Sequence, residues 1–240
     1  MADVLTRPVR ALVGSTPTTR VLRLDLGDAP FPFRAGQAAL VGAHGQPLRR
    51  PYSIASSPED AVRHHRLEFL LKVDASGDAG FHLANLHVGM KIDLDGPSGS
   101  FTLPDTTDAA AFFFVAGGTG ISPLRSMVRH LIANGETRPI SVIYSARQPD
   151  EFAYGPELTR LARRGKLKLL MTVTGEASAW SGEPWSGERG RIGLSQLATM
   201  LPSRDALTFI CGPPSLVEDV PPLLLKLGAS AARIRIEEWG

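Results

Sequence analysis

A cation, an aromatic ring and a hydroxyl group stand close together at Arg50, Tyr52 and Ser53. In an extended strand side chains alternate between faces, so Arg50 and Tyr52 point to one face and Ser53 to the other, although Ser53 still offers a backbone N–H and a hydroxyl between them. An arginine fork binds a diphosphate, and a tyrosine ring stacks on another flat ring. The segment suits a ligand with both groups, or is an ordinary strand with a surface arginine.

A glycine-rich turn separates an apolar run from a segment that opens with Ser122 and Pro123. The turn consists of Gly117, Gly118, Thr119 and Gly120. N–H groups at a helix start attract phosphate, and glycines let it approach the backbone. The spacing differs from the G-x-G-x-x-G pattern of dinucleotide sites. The turn therefore predicts a phosphate site, or a tight strand-to-helix turn without a ligand.

Cys211 is the only cysteine, and it follows the apolar run 208–210 and precedes Gly212 and Pro213. Ligands of open α/β sheets collect at the carboxyl ends of strands, although a lone cysteine is most often a small core residue. One cysteine forms no internal disulfide and holds no iron–sulfur cluster by itself. The six histidines show no metal-ligand spacing, so no metal site is predicted. Redox chemistry in this chain needs an organic cofactor or a partner.

Two patterns of elements surround these residues. Short strands at 21–26, 37–41, 67–73 and 91–94 predict an antiparallel barrel or sandwich. After the polar stretch 104–108, five apolar runs alternate with helical segments at 122–133, 157–164 and 215–227, which predicts a parallel sheet covered on both faces. The runs are 111–116, 140–145, 167–172, 208–210 and 234–236. We place the domains at 1–106 and 107–240 and expect the proline pair 221–222 to kink or interrupt the last helix.

The composition excludes several classes of protein. Of the 240 residues, 26 are Lys or Arg and 24 are Asp or Glu, so no basic surface for nucleic acid is indicated. The apolar stretches are far shorter than the roughly 20 residues that span a bilayer, so no membrane insertion is expected. The N-terminal residues lack the pattern of a secretory signal. Together with the lone cysteine, this predicts a cytoplasmic location.

Four segments carry a resemblance to a known family. In order, they are Arg50-Pro51-Tyr52-Ser53, Gly96-Pro97-Ser98-Gly99-Ser100-Phe101, Gly117-Gly118-Thr119-Gly120-Ile121-Ser122-Pro123 and Cys211-Gly212-Pro213-Pro214. From about Arg7 onward the chain resembles the ferredoxin:NADP reductase superfamily of flavoproteins. The resemblance implies an antiparallel β-barrel that binds FAD and a five-stranded parallel α/β domain that binds the nicotinamide nucleotide.

The resemblance also implies roles for individual residues. Arg50 would bind the flavin pyrophosphate, Tyr52 would stack on the isoalloxazine, and Ser53 would hydrogen-bond near flavin N5. Cys211 would lie beside the nicotinamide, and Ser53, Cys211 and Glu238 form the predicted catalytic set. The predicted cofactor-binding set is Arg50, Pro51, Tyr52, Ser53, Gly77, Gly80, Phe81, Gly117, Gly118, Thr119, Gly120, Pro123, Ser145, Arg147, Arg191, Cys211, Gly212, Pro213 and Trp239.

One segment departs from the family pattern. The second flavin segment of the family reads Gly-x-x-Ser-x-x-Leu, and residues 77–83 place Gly80 where the serine would be. A hydroxyl contact to the diphosphate is therefore missing. We expect the backbone N–H groups of Gly80 and Phe81 to take its place and FAD to be held less tightly.

Nucleotide choice and the chain end give two more expectations. The second parallel strand is followed by Arg147, with no acidic residue before Asp150, and with Arg191 this favours NADPH, NADH being possible. Near the C-terminus, Trp239 is expected to act as a lid over the flavin face that the nicotinamide must reach. Its alternative role is to seal the edge of the last strand.

The resemblance implies an NAD(P)H-dependent FAD oxidoreductase whose electron acceptor lies outside this chain. Candidate acceptors are a ferredoxin, a flavodoxin, an oxygenase component or a small molecule. Two alternatives stay open. One is a reductase of free flavin, and the other is a nucleotide-sensing flavoprotein subunit without useful turnover.

Overall fold

The computed structural model describes residues 4–176 and 185–239. They fall into two compact units. The first contains residues up to Leu103 together with Arg125–Gly135, and the second contains Pro104–Leu124 and the residues from Glu136 onward. The helix that follows the glycine turn is thus divided between them, and a single domain boundary between residues 106 and 107 stays a prediction.

The described part of the first unit contains six antiparallel strands in one sheet. They are β1 (Leu5–Thr16), β2 (Thr19–Asp25), β3 (Ala38–Ala43), β4 (Arg50–Ser53), β5 (Arg66–Lys72) and β6 (Lys91–Ser98). Their order is β4-β3-β6-β1-β2-β5, and an antiparallel bridge between Ile54 and Phe69 joins the two outer strands. Helix α1 (Pro58–His64) and a 3₁₀ helix at Phe81–Leu83 complete the unit. The predicted antiparallel β-barrel is confirmed.

Alternation of apolar and polar residues explains how these strands form a core. On β2, Leu22 and Leu24 are fully buried, while Arg23 between them is partly exposed. Such alternation is typical of a sheet with one face on the core. The buried Glu68 of β5 is paired with three arginines, as a buried charge requires. They are Arg23, Arg66 and Arg125, at 2.8 to 3.2 Å.

The second unit contains a parallel sheet whose order is β10-β9-β8-β7-β11-β12. Its strands are β7 (Ala111–Gly117), β8 (Ile140–Ala146), β9 (Lys168–Val173), β10 (Glu188–Arg189), β11 (Ala206–Gly212) and β12 (Ile234–Glu238). The helices after β7 are α2 (Ile121–Ala133), α3 (Gly155–Arg163), α4 (Leu194–Met200) and α5 (Pro214–Lys226). All seven residues of each of β7, β8 and β11 are buried, as the apolar runs predict.

The expectation of five parallel strands is wrong, because the described residues form a sixth. Strand β10 has only two exposed, charged residues, which pair with Thr172 and Val173 of β9. The Thr172 hydroxyl also donates a 2.8 Å hydrogen bond to the Gly190 carbonyl. Backbone pairing at a sheet edge needs no apolar residues, so hydrophobic periodicity gives no sign of β10.

Helix α5 continues across Pro221 and Pro222, so the predicted interruption is wrong, while the alternative, a kink, stays a prediction. Val217, Val220 and Leu224 on this helix are buried in the core of the second unit. Burial of three aliphatic side chains stabilises the helix by several kcal/mol, about 1.5 to 3 each, which offsets the cost of the prolines. No helix within residues 4–176 and 185–239 is long and apolar enough to cross a membrane.

Candidate functional site

The second unit has its topological switch point between β7 and β11. The chain proceeds from β7 to β8 and β9 on one side, then returns to place β11 and β12 on the other. At such a point the connections leave in opposite directions, which opens a crevice at the carboxyl ends of the strands. The predicted glycine turn follows β7, and Cys211 lies at the end of β11.

The two turns at this switch point pack directly on each other. A Cβ atom on Gly120 would lie 2.3 Å from the carbonyl oxygen of Cys211, and one on Gly212 would lie 3.0 Å from the nitrogen of Gly117. A Cβ on Gly117 would lie 2.8 Å from the Pro213 ring. The glycines are therefore required for close packing, and the structure brings these five predicted residues together.

Gly118 and Thr119 form the open side of the turn. Gly118 has a φ of +54°, which L side chains rarely adopt, and a Cβ atom there would meet nothing within 4 Å. The 3₁₀ helix Gly118–Gly120 leads into α2, with Pro123 in its first turn. Backbone N–H groups at such a start have no partner within the helix. Open space beside these donors fits a diphosphate.

Tyr144 of β8 supports this turn, although no sequence motif identifies it. Its hydroxyl donates a 3.0 Å hydrogen bond to the Gly118 carbonyl. Because Tyr144 lies inside an apolar run, its position predicts only a core side chain. Ser145, the next residue, is buried near the end of β8 and pairs with Gly117 and Thr172 in the sheet.

The Cys211 side chain is fully buried and pairs in register with Ala116 and Glu237. Burial, and then the negative charge of Glu237, raise the pKa of its thiol far above the usual range. The thiol is protonated at neutral pH, and a protonated thiol is a poor nucleophile. This environment suits a positioning role.

The last described residues surround the end of β11. Glu238 pairs with Gly212, and its side chain is exposed. The Trp239 N–H donates a 3.0 Å hydrogen bond to the Gly212 carbonyl, and its indole Nε1 donates one of 2.6 Å to Glu237. Burial raises the pKa of Glu237, although the indole hydrogen bond opposes this shift. Glu237, which no sequence motif identifies, is thus the acid whose carboxylate accepts the hydrogen bond from the Trp239 indole.

The two predicted selectivity arginines have exposed side chains. Arg147 follows β8, and its backbone N–H donates to the Glu151 carboxylate at 3.2 Å. Arg191 is 74% exposed and forms an ion pair with Asp219 at 3.4 Å. An exposed pair of this kind contributes little stability. Both guanidinium groups therefore have freedom to meet an anionic ligand.

In the first unit, β4 carries the predicted flavin residues. Arg50 and Pro51 are exposed, Tyr52 is half-buried, and Ser53 is buried. Tyr52 pairs with Ala39 and Ser53 with Ala38 of β3, which fixes the backbone of both. Strand β4 lies at the end of the sheet order, where a proline such as Pro51 is tolerated.

Tyr52 contacts a buried histidine, His82, that no sequence pattern identifies. Its hydroxyl lies 2.8 Å from Nε2 of His82, and the two rings stack with centroids 5.7 Å apart. Burial lowers the pKa of His82, and the charge of Arg50 lowers it further. Burial raises the pKa of Tyr52 despite the opposing charge of Arg50. Both rings are therefore neutral at neutral pH.

The loop at Gly77 and Gly80 explains the departure from the family pattern. Gly77 has a φ of +88° and Gly80 a φ of +97°, so a serine at position 80 would be strained. Phe81, which follows, is 94% exposed. The exposed Arg50, the half-buried Tyr52 ring and the exposed Gly80 fit a flavin dinucleotide, since they offer a cation, a stacking surface and a stretch of backbone that a ligand can approach.

Two family models match the chain. Residues 11–103 match the oxidoreductase FAD-binding domain, and residues 114–221 match the oxidoreductase NAD-binding domain. The first range contains Arg50, Tyr52 and His82. The second contains the glycine turn and Cys211. Each model thus covers one of the two groups of side chains described above.

Individual relatives support the same family assignment. The chain is 32% identical over 215 residues to the phenol 2-monooxygenase reductase component DmpP of Pseudomonas sp. (strain CF600), covering 88% of this chain and 58% of that protein. It is 31% identical over 235 residues to ferredoxin–NADP reductase B of Sorangium cellulosum (strain So ce56), covering 93% of both. The chain spans little more than half the length of several curated relatives.

A solved structure shares the fold. The ferredoxin NADP⁺ reductase from Neisseria gonorrhoeae, determined with bound FAD and NADP, superimposes with a TM-score of 0.80 over 99% of both chains. The two sequences are 20% identical. At this low identity, the similarity shows only that the two proteins share the architecture of a barrel and a parallel sheet.

Proposed function

Because the chain belongs to the ferredoxin:NADP reductase superfamily, we propose that it is an FAD-dependent oxidoreductase that takes hydride from NAD(P)H and passes electrons to a separate acceptor. The observation that carries the proposal is the packing of the glycine turn on Cys211 and Gly212 at the switch point of the parallel sheet. That packing leaves an open, donor-lined surface at Gly118, as a nucleotide diphosphate requires.

On the flavin side, we assign a separate role to each of three residues of β4. The Arg50 guanidinium binds the diphosphate through charge-assisted hydrogen bonds. Tyr52 provides the ring on which the isoalloxazine stacks, and Ser53 places a hydroxyl near N5. Bound FAD supplies the redox chemistry, because its N5 accepts a hydride. The protein holds the Ser53 hydroxyl in place near N5 before negative charge develops on that nitrogen.

On the nucleotide side, the glycine turn holds the diphosphate and Cys211 sets the position of the nicotinamide. The thiol is buried and protonated, so it positions the nicotinamide through its size and location and does not act as a nucleophile. Arg147 and Arg191 favour NADPH, because two exposed cations attract a 2′-phosphate more than a ribose hydroxyl. Trp239, next to Gly212, covers the position that the nicotinamide takes.

The acceptor is an oxygenase component, a ferredoxin or a flavodoxin. Support comes from the relatives, one being the reductase component of a phenol monooxygenase and another a ferredoxin–NADP reductase. The cytoplasmic location predicted from the sequence remains part of this proposal.

The test begins with the visible spectrum of the purified protein before and after anaerobic addition of NADPH and of NADH. The proposal predicts a flavin spectrum that bleaches rapidly with at least one nucleotide and recovers when an acceptor protein is added. Absence of bleaching contradicts the proposal and is the result that a nucleotide-sensing subunit would give.

A reductase of free flavin is the second candidate, and Gly80 is the observation that favours it. Glycine has no side-chain hydroxyl to contact FAD, and the φ of +97° at Gly80 would strain a serine there. Rapid turnover of added FMN or riboflavin, together with loss of FAD during purification, would identify this activity. Retention of FAD with turnover only through an acceptor protein would exclude it.

A further inference from the structure

His82 lies in the 3₁₀ helix Phe81–Leu83 and is 1% exposed. Its ring is placed by stacking on Tyr52 and by the 2.8 Å contact between Nε2 and the Tyr52 hydroxyl. The other nitrogen, Nδ1, is buried and has no hydrogen-bond partner among the described residues. The two nitrogens therefore differ sharply in what they contact.

This difference determines where the single proton of the neutral ring resides. A buried N–H without an acceptor costs about 1 to 3 kcal/mol, and orphaned N–H groups are rarer in proteins than unsatisfied acceptors. The proton is therefore on Nε2, and Nδ1 carries only a lone pair. With the proton on Nε2, the N–H of this nitrogen would donate to the Tyr52 oxygen at 2.8 Å.

The direction of this hydrogen bond affects what Tyr52 can do. A phenol that accepts from histidine keeps its own hydrogen for another partner. Burial raises the pKa of Tyr52, so that hydrogen is present at neutral pH. The half-buried position of Tyr52 leaves part of the ring open to a ligand.

We propose that His82 is a positioning residue for FAD, which fixes the Tyr52 ring through Nε2–H and leaves the phenol hydrogen free to donate to the cofactor. This inference depends on FAD binding and not on the electron acceptor. It is therefore tested separately from the proposed electron transfer.

The experiment measures the dissociation constant of FAD from the purified holoprotein by the flavin fluorescence that appears on dilution. His82→Phe keeps an aromatic ring but removes Nε2–H, and we expect about 2- to 12-fold weaker binding. His82→Gln places an amide donor near the position of Nε2 and restores most of the affinity. His87→Phe, at an exposed histidine of the same segment, is the matched control and leaves binding unchanged.

A double-mutant cycle with Tyr52→Phe separates positioning from simple packing. If His82 acts through the phenol, His82→Phe causes no further loss of affinity in the Tyr52→Phe background. An equal loss in both backgrounds, no loss in either, or failure of His82→Gln to rescue overturns the proposal.

A measurement on the wild-type protein needs no variant and so does not depend on how a variant folds. Two-bond ¹⁵N–¹H spectra of the imidazole report which nitrogen carries the proton. The proposal requires the Nε2–H tautomer of His82 in both the free and the FAD-bound protein. Observation of the Nδ1–H tautomer overturns it.

Discussion

The Tyr144 hydroxyl is hydrogen-bonded to the carbonyl oxygen of Gly118, with 3.0 Å between the two oxygens. Tyr144 is fully buried, and its ring packs edge-on against Phe152 at 5.0 Å. In a trans peptide the C=O and N–H groups point in opposite directions. Fixing the Gly118 carbonyl therefore turns the Thr119 N–H away from Tyr144, and under the proposed function we expect this N–H to donate to the nucleotide diphosphate.

Tyr144→Phe tests this relationship, because it removes the hydroxyl and keeps the packed ring. We expect about 2- to 12-fold weaker binding of NADP⁺, the loss of one neutral hydrogen bond, measured by titration calorimetry. Reduced nicotinamide mononucleotide lacks the diphosphate, so its affinity should not change. A similar loss for both nucleotides would mean that Tyr144 only supports the fold.

Cys211→Ala is expected to slow hydride transfer by about 10- to 100-fold, because small displacements of reacting groups have effects of this size. The spectrum of the bound flavin should stay the same. Stopped-flow reduction by NADPH measures the rate, and slow alkylation of the native thiol would confirm that it is buried and protonated. Reduction at the wild-type rate would assign Cys211 to the core alone.

Replacing both Arg147 and Arg191 by Ala is expected to lower kcat/KM for NADPH by about 10- to 100-fold, since charge-assisted hydrogen bonds to the 2′-phosphate are lost. The value for NADH should change little. Arg63→Ala, at an exposed arginine of α1, serves as the control. Equal losses for NADPH and NADH would exclude a role in selectivity.

The apolar strands of the second unit were predictable, because strands buried on both faces leave continuous apolar runs. Strand β7 and Cys211 at the end of β11 lie where the sequence places them. Strand β1 (Leu5–Thr16) was missed, since only Val9 and Thr16 in it are buried and alternation is weak. The two-residue strand β10 was also missed, because both of its residues are exposed and charged and leave no apolar pattern.

Contacts between distant side chains were not predictable. Tyr52 and His82 are 30 residues apart, and neither periodicity nor a motif relates them. Tyr144 stands in an apolar run, so only the three-dimensional structure shows that its hydroxyl reaches Gly118. Motifs singled out Tyr52 and Gly118 as candidate ligand-facing residues, whereas only the fold shows that His82 and Tyr144 contact them.

Asp60 and Arg129, both grouped with the first unit, give a prediction about acid stability. Burial of Asp60 opposes its ionisation, but hydrogen bonds and charge from Arg129 lower its pKa to about 2, below the ordinary value of 3.8. The folded state therefore gains stability from this carboxylate above pH 3.8 and loses it as the pH falls to about 2.

Arg129→Gln should lower the free energy of unfolding by about 2 kcal/mol at neutral pH. The difference from wild type should shrink as the pH decreases and vanish near pH 2. Urea unfolding across this range measures the effect. A difference that does not depend on pH would show that Arg129 contributes by packing and not through the Asp60 charge.

Trp239 is the last described residue, and its indole is tied to Glu237 while its backbone is tied to Gly212. If the ring is a lid, the nicotinamide must displace it, and the 2.6 Å hydrogen bond to Glu237 must break or move. Trp239→Ala should then tighten NADP⁺ binding, because this displacement is no longer needed, and should reduce the preference between NADPH and NADH while flavin stays bound. Glu237→Gln keeps the indole and weakens only its anchor, so it should shift nucleotide affinity in the same direction and by less. Nucleotide titration of both variants, alongside their melting temperatures, distinguishes a lid from an edge seal. Lower stability with weaker nucleotide binding and unchanged selectivity would assign Trp239 to the fold.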